Sequence, residues 1–235
     1  MSCDPTMTAP QPPAGEARCD CVFTLMWRRF TTLFGLKMVM TLVIAPIFVA
    51  SYLGIQRLAG ATREFEFTWI DHAAGFNVWW VYIYVSQYLI VPLPPLLAHT
   101  RDQLRRLVVG LGTTSILAFL VFVFYPVAVK RPPRPVDSNA VYDWIISVDT
   151  AGNAFPSLHV GLSTLAALYA HRVLDGAFSR RARLTLLAII WTWTILIAWS
   201  TMATKQHYFH DVVAGFVIAC IGHWVAWRKA PDAAE

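Results

Sequence analysis

Six stretches of the chain run without a single Asp, Glu, Lys or Arg: residues 38–56, 73–98, 107–129, 150–170, 184–204 and 212–227. A helix crossing the hydrocarbon core needs about 20 apolar residues, within a range of roughly 17–25. Five of the stretches reach that length, and the sixth is completed by turns from 207–211. The pattern predicts an all-α, polytopic membrane protein with a bundle of six transmembrane helices, because backbone exposed to lipid must satisfy its own hydrogen bonds. A large soluble helical core does not fit, since these runs leave almost no polar face for water. Residues 1–27, rich in Pro, Ala and Gly towards their start, read as a disordered tail. Residues 28–229 form the membrane domain and 230–235 a short second tail.

Composition supports the pattern: 57% of the 235 residues are hydrophobic and only 14% charged, where a soluble domain carries about 25% charged residues. Charge adds orientation. With a cytoplasmic N-terminus, only Arg57, Arg63, Lys130, Arg131, Arg134 and Lys205 fall outside, leaving 13 of the 19 basic residues on the cytoplasmic side. This positive-inside asymmetry places both termini in the cytoplasm. The net charge of +5 is then a topology signal with some attraction to anionic lipid heads, and no nucleic-acid partner is called for. Cys3, Cys19 and Cys21 read as free thiols in a reducing compartment, and Cys220 falls inside the last helix.

Three separated polar stretches, YPVAVKRPPRPVD, NAFPSLHVG and HYFHD, meet at the outer face. Ionisable groups at membrane depth are costly unless paired or wet. Pro156 suits the first turn of a helix, with Ser157 beside exposed N–H groups. His207 and Asp211, four apart, stack on one helical face, where the carboxylate orients one imidazole nitrogen and frees the other. Arg134, Lys205, Lys130 and Arg131 are candidate phosphate donors. Two histidines, an orienting carboxylate and a ring of cations suit phosphoryl transfer, one histidine attacking phosphorus and the other protonating the leaving oxygen. No carboxylate cluster suited to magnesium stands in the three stretches, so the expected mechanism uses neither metal nor other cofactor. His171 and His223, towards the cytoplasmic ends, read as packing residues, and His210, turned about 100° from Asp211 on a helix, as structural.

These residues resemble the type-2 phosphatidic acid phosphatase (PAP2) superfamily of six-helix membrane enzymes. PSLH at 156–159 is similar to the family's Pro-Ser-Gly-His motif, and STMATKQHYFHD at 200–211 to its Ser-Arg, five residues, His, three residues, Asp motif. The resemblance spans roughly residues 36–228. It implies that His207 becomes phosphorylated, Asp211 orients it, His159 is the acid, Ser157 binds phosphate and Arg134 with Pro135 ends the first motif. The chain departs from the pattern at three places. Val127 stands where the family lysine is expected, leaving Lys130 or Arg131 to replace it. Thr201 stands for the third-motif arginine, whose charge Lys205 is expected to supply, and Leu158 for the glycine. The YPVA…RPP pattern, PSLHVG and HYFHDVVAG are similar to a subgroup that includes inositol phosphorylceramide synthases.

The expected activity is metal-independent hydrolysis of a lipid phosphate or pyrophosphate (phosphatidate, phosphatidylglycerol phosphate or a polyprenyl pyrophosphate) through phosphohistidine, in a bacterial inner membrane, at a site facing the periplasm. Transfer of the phosphoryl or phospho-headgroup to an alcohol is the alternative. A non-catalytic transporter or scaffold is the third reading; a transporter predicts paired broken helices in two related halves, and no internal repeat is visible. The partners expected are the lipid substrate and the bilayer; the sequence leaves oligomeric state open. Small residues Gly215 and Ala219, and Ser163 and Ala167, predict close approach of the fourth and sixth helices, bringing His159 to His207. Prolines at 92, 94 and 95 predict a break near the inner end of the second helix, and 64–72 reads as a segment along the surface that shapes a lipid entrance, or as a plain loop.

Overall fold

The computed structural model describes residues 22–58, 60, 63–136, 138–149, 151–176 and 178–228. The expected tail at 230–235 and residues 1–21 of the expected N-terminal tail, with Cys3, Cys19 and Cys21, lie outside these.

The first element, α1 (Val22–Thr31), begins inside the segment read as tail. Its Met26 packs against the core, and its Arg29 guanidinium donates to the Leu97 and Val173 carbonyls at 3.0 and 2.8 Å. These are carbonyls at helix ends, which have no partner within their own helix. After α1 comes α2 (Phe34–Leu58), a peripheral apolar helix. Its buried Lys37 amine donates to the Arg29 and Leu96 carbonyls at 2.6 and 3.1 Å. The second apolar run is not one rod. A surface helix α3 (Trp69–Ala74) precedes it, and then a 3-10 turn (Val78–Trp80), α4 (Val81–Val85), α5 (Gln87–Ile90) and α6 (Leu93–Leu97) follow in succession. The proline-rich end is broken as its missing N–H groups require, but the break also reaches Ser86, above the prolines.

Then follow α7 (Arg101–Phe124), the short helix α8 (Ala140–Val148), α9 (Leu158–Val173), α10 (Arg180–Ala203) and α11 (Phe209–Trp227). Two short strands, Arg63–Glu64 and Val127–Ala128, pair in parallel. Among the described residues five segments are long and apolar enough to cross a membrane: Phe34–Arg57, Val78–Leu97, Arg101–Phe124, Arg180–Ala203 and Phe209–Trp227. The expected fourth helix over 150–170 differs. Residues 151–153 form a 3-10 turn, Pro156 lies before the helix and not in its first turn, and α9 starts at Leu158 with Ser157 as its cap. At 16 residues it is about 24 Å long.

That short helix is the centre of the molecule. It packs against α7, α10 and α11, and most of its side chains are buried. Small residues allow the approach. A β-carbon on Gly215 would lie 2.4 Å from the Ser157 carbonyl oxygen, and one on Gly161 3.3 Å from the Gly215 carbonyl. Gly222 fits as closely against Thr114 and Gly110 of α7. The predicted contact of the fourth and sixth helices is therefore present, through Gly215 and Gly161. Ala167 instead joins the buried apolar cluster that includes Ile190 and Ile197 of α10, and the Ser163 carbonyl accepts from Thr194 of that helix at 3.5 Å.

Candidate active site

The N-terminal end of α9 meets the loop that joins α10 to α11. That loop turns tightly: the amides of Gln206 and His207 both donate to the Thr201 carbonyl, at 2.9 and 3.1 Å. Thr201, at the family arginine position, thus contributes backbone and no charge. His207 precedes α11 by two residues, so it does not stack on Asp211 within a helix as expected. The two meet because Asp211 folds the loop back, its Oδ2 accepting from the Tyr208 amide at 2.8 Å. His207 Nδ1 lies 3.4 Å from Asp211 Oδ2, and 2.8 Å from the Ala154 carbonyl oxygen. A carbonyl only accepts, so this contact puts the proton on Nδ1 and leaves the lone pair on Nε2. His207 Nε2 is buried without a partner among the described residues.

The second histidine, His159, occupies the first turn of α9, its ring centroid 5.5 Å from that of His207. Ser157 is fully buried, donates its amide to the Asp211 carbonyl at 3.0 Å and accepts from the Val160 amide at 3.4 Å. The cap of α9 is therefore fastened directly to α11.

The four candidate cations separate. The charge of Arg131 reaches the histidine end: it acts on His159, Tyr84 and Tyr52, and its buried Nε has no partner among the described residues. Arg134 is exposed, with its guanidinium bonded to Asp143 at 2.5 Å, and is not brought to the histidines. Lys130 turns its side chain to the surface, while its amide donates to the Tyr208 hydroxyl at 2.9 Å. Lys205 donates to the Asp71 carbonyl at 2.7 Å and lies over the Phe67 ring. Burial lowers its ammonium below the usual lysine range, partly opposed by the charge of Asp71. The proline-rich turn after Arg131 carries Arg134 outwards, a direction that spacing along the chain does not reveal.

Sequence reading missed two further carboxylates. Asp149 lies just before the 3-10 turn and meets His159 Nε2 at 3.4 Å. Burial by itself would raise its carboxyl. The hydrogen bond and charge of His159, the Tyr52 hydroxyl and the charge of His207 outweigh that and hold it at about 2. Asp71 caps α3 through the Thr68 amide at 2.8 Å, and its second oxygen accepts from the Phe209 amide at 2.8 Å. With its carbonyl on Lys205, it grips both sides of His207. Asp149 was visible only as one of several loop aspartates, and Asp71 only as part of a surface segment.

A membrane protein with paired histidines at one end of its helix bundle, one held by a carboxylate and a carbonyl, has the make-up of a phosphoryl-transfer protein. The sequence profile of the PAP2 superfamily matches residues 103–235. The chain belongs to the PAP2 superfamily and has its membrane lipid phosphatase/phosphotransferase fold. It is also similar to the inositol phosphorylceramide synthase catalytic subunit AUR1 of Saccharomyces cerevisiae, at 37% identity over 68 residues, which is 29% of this chain and 15% of the yeast subunit. The crystal structure of Aquifex aeolicus LpxE superposes with a TM-score of 0.47 at 17% identity, covering 65% of this chain and 85% of that one.

Proposed function

We propose that the chain hydrolyses a lipid phosphate or pyrophosphate, without a metal, through a phosphohistidine on His207. The observation that carries this reading is the state of His207: its proton is fixed on Nδ1 by the Ala154 carbonyl, and its Nε2 lone pair is buried and unpartnered. A neutral imidazole nitrogen with a free lone pair, on a ring oriented by a carbonyl and a carboxylate, is suited to attack phosphorus. His159 is the acid for the leaving oxygen, Asp211 offsets the charge that develops on His207, and Arg131 stabilises charge on the phosphoryl oxygens. Ser157 anchors the α9 end where the phosphate binds. Arg134, Lys205 and Lys130 serve as outer cations that attract the headgroup.

A lipid substrate suits the surroundings. An apolar groove of about 690 Å³ runs past Trp69, Phe155, Pro156, Phe209 and Val213, with His210 on its wall, next to the cap of α9. The surface helix α3 supplies Trp69, in keeping with an entrance shaped by that segment. The substrate class is phosphatidate, phosphatidylglycerol phosphate or a polyprenyl pyrophosphate, with the site facing the exterior of a bacterial inner membrane across a six-crossing topology.

Transfer to an alcohol is the second reading, favoured by the similarity to the yeast synthase subunit. Both readings pass through the same intermediate and differ in the acceptor. The test is phosphate release from a panel of lipid phosphates in detergent, with and without inositol and with and without chelator, followed by alkaline quench and mapping of the phosphohistidine by mass spectrometry. Label on His207 and release in chelator are expected. Label on His159, or activity that needs magnesium, would overturn the assignment. A phospho-inositol product made in preference to free phosphate would decide for transfer.

A further inference from the structure

His159 is engaged on both ring nitrogens. Nε2 lies 2.6 Å from the Tyr84 hydroxyl and 3.4 Å from Asp149 Oδ2, and Nδ1 faces the Gln87 side-chain amide, which accepts through its oxygen when the ring is imidazolium. Asp149 in turn accepts from the Tyr52 hydroxyl through Oδ1 at 2.5 Å and from the Tyr84 hydroxyl through Oδ2 at 3.2 Å. Tyr52 comes from α2, Tyr84 from α4, Gln87 from α5 and Asp149 from the loop before α9. The charges of Arg131 and His207 also act on His159, and Tyr88 stands near Asp149. A carboxylate enclosed by two tyrosines and a histidine is costly unless it is hydrogen-bonded and opposed by charge.

We propose that Asp149, held by Tyr52 and Tyr84, is the positioning residue that keeps a proton on His159 Nε2 and aims that nitrogen at the leaving oxygen. This rests on the histidine chemistry proposed above. In the first step the bond between His207 Nε2 and phosphorus forms, the ester P–O bond breaks, and the His159 proton goes to the leaving oxygen. His159 is then neutral. In the second step the acceptor oxygen bonds to phosphorus, the N–P bond breaks, and the acceptor's proton returns to His159. Asp149 stays ionised in both. The Tyr84 hydroxyl occupies the hydrogen-bond position at Nε2 that a substrate oxygen takes over. At 3.4 Å Asp149 is long for a hydrogen bond and acts mainly through its charge. The protein thus carries two carboxylate–histidine pairs, one for the nucleophile and one for the acid.

The test uses the full chain in detergent, as wild type, Asp149→Asn, Asp149→Glu and Tyr52→Phe. Side-chain ¹⁵N spectra of histidine-labelled protein, with His159 assigned by loss of its signal in His159→Gln, report its protonation without turnover. Asp149→Asn is expected to reduce the imidazolium fraction of His159 at pH 7 several-fold, and to move the alkaline limb of the kcat profile to lower pH. It is expected to slow a lipid monoester at least ten-fold more than a lipid pyrophosphate, whose leaving group needs little protonation. Asp149→Glu should restore part of each effect, and Tyr52→Phe should reproduce each weakly, which keeps the test decisive should Asp149→Asn not fold. Unchanged His159 spectra, or an equal loss on both substrates with an unmoved profile, would overturn the proposal. A wild-type protein that releases phosphate from no lipid would instead remove the functional reading, while the spectra still judge the pairing of Asp149 with His159.

Discussion

Gly215 of α11 touches Ser157, the cap of α9, so closely that a β-carbon on the glycine would stand 2.4 Å from the Ser157 carbonyl oxygen. Ser157 is two residues from His159, and Gly215 is four from Asp211, so this backbone contact fixes how closely the helix starts that carry His159 and Asp211 approach. Gly215→Ala cannot be relieved by a side chain turning aside, because the opposing atom is backbone. The expected cost is about 1–3 kcal/mol from overpacking, with a larger fractional loss of turnover than of stability. Thermal unfolding in detergent and phosphate release check both. Gly112→Ala, with nothing within 4 Å of the added carbon, is the control and should gain or lose little.

Asp211→Asn is expected to leave the fold intact, because the amide oxygen can still accept from the Tyr208 amide at the start of α11. It removes the negative charge beside His207 Nδ1 when that ring becomes cationic. In an oriented serine-protease histidine the corresponding change costs roughly 10⁴ in kcat. Here the Ala154 carbonyl also holds the tautomer, so the expected loss is smaller, about 10²–10³, by comparison with that case. Turnover within a factor of about two of wild type would assign Asp211 to capping alone.

Asp149 gives a pH signature of its own. Its carboxyl is lowered to about 2, against about 3.9 in an unfolded chain. A depressed carboxyl stabilises the fold above the unfolded value, and that contribution is lost as pH falls through the folded value. The shift corresponds to roughly 2–3 kcal/mol. The Tm difference between wild type and Asp149→Asn should therefore close as pH falls between ~4 and ~2. A difference that persists undiminished at pH ~2 would mean that the Asp149 carboxyl is not held low in the fold.

Topology is open to direct labelling. In a cysteine-free background, a cysteine at Ser138 should react with an impermeant reagent applied to intact cells, and one at Ser179 should react only after the membrane is opened. The reverse result would place the histidines on the cytoplasmic side.

Local sequence determined much of this protein. The apolar runs mark five segments that the structure shows long enough to cross a membrane, because the length of an uncharged run is set by the bilayer and not by neighbouring elements. PSLH and the His–Asp spacing pointed to the two histidines that now lie 5.5 Å apart between ring centroids, and Gly215 to the helix contact that brings them together. Tertiary structure alone decided the rest. Tyr52, Tyr84, Gln87 and Asp149 converge on His159 from four elements, with up to 97 residues between the bonded pair Tyr52 and Asp149, a separation no motif spans. Asp71, read only as part of a surface segment, grips the His207 loop from 138 residues away. Arg131 and Arg134 are three apart in a stretch of prolines; one charge reaches His159 and the other pairs with Asp143 at the surface. Residue type and spacing specify a charge and a reach. The direction of a side chain leaving an irregular loop depends on what the loop packs against, which is fixed only when the helices have assembled.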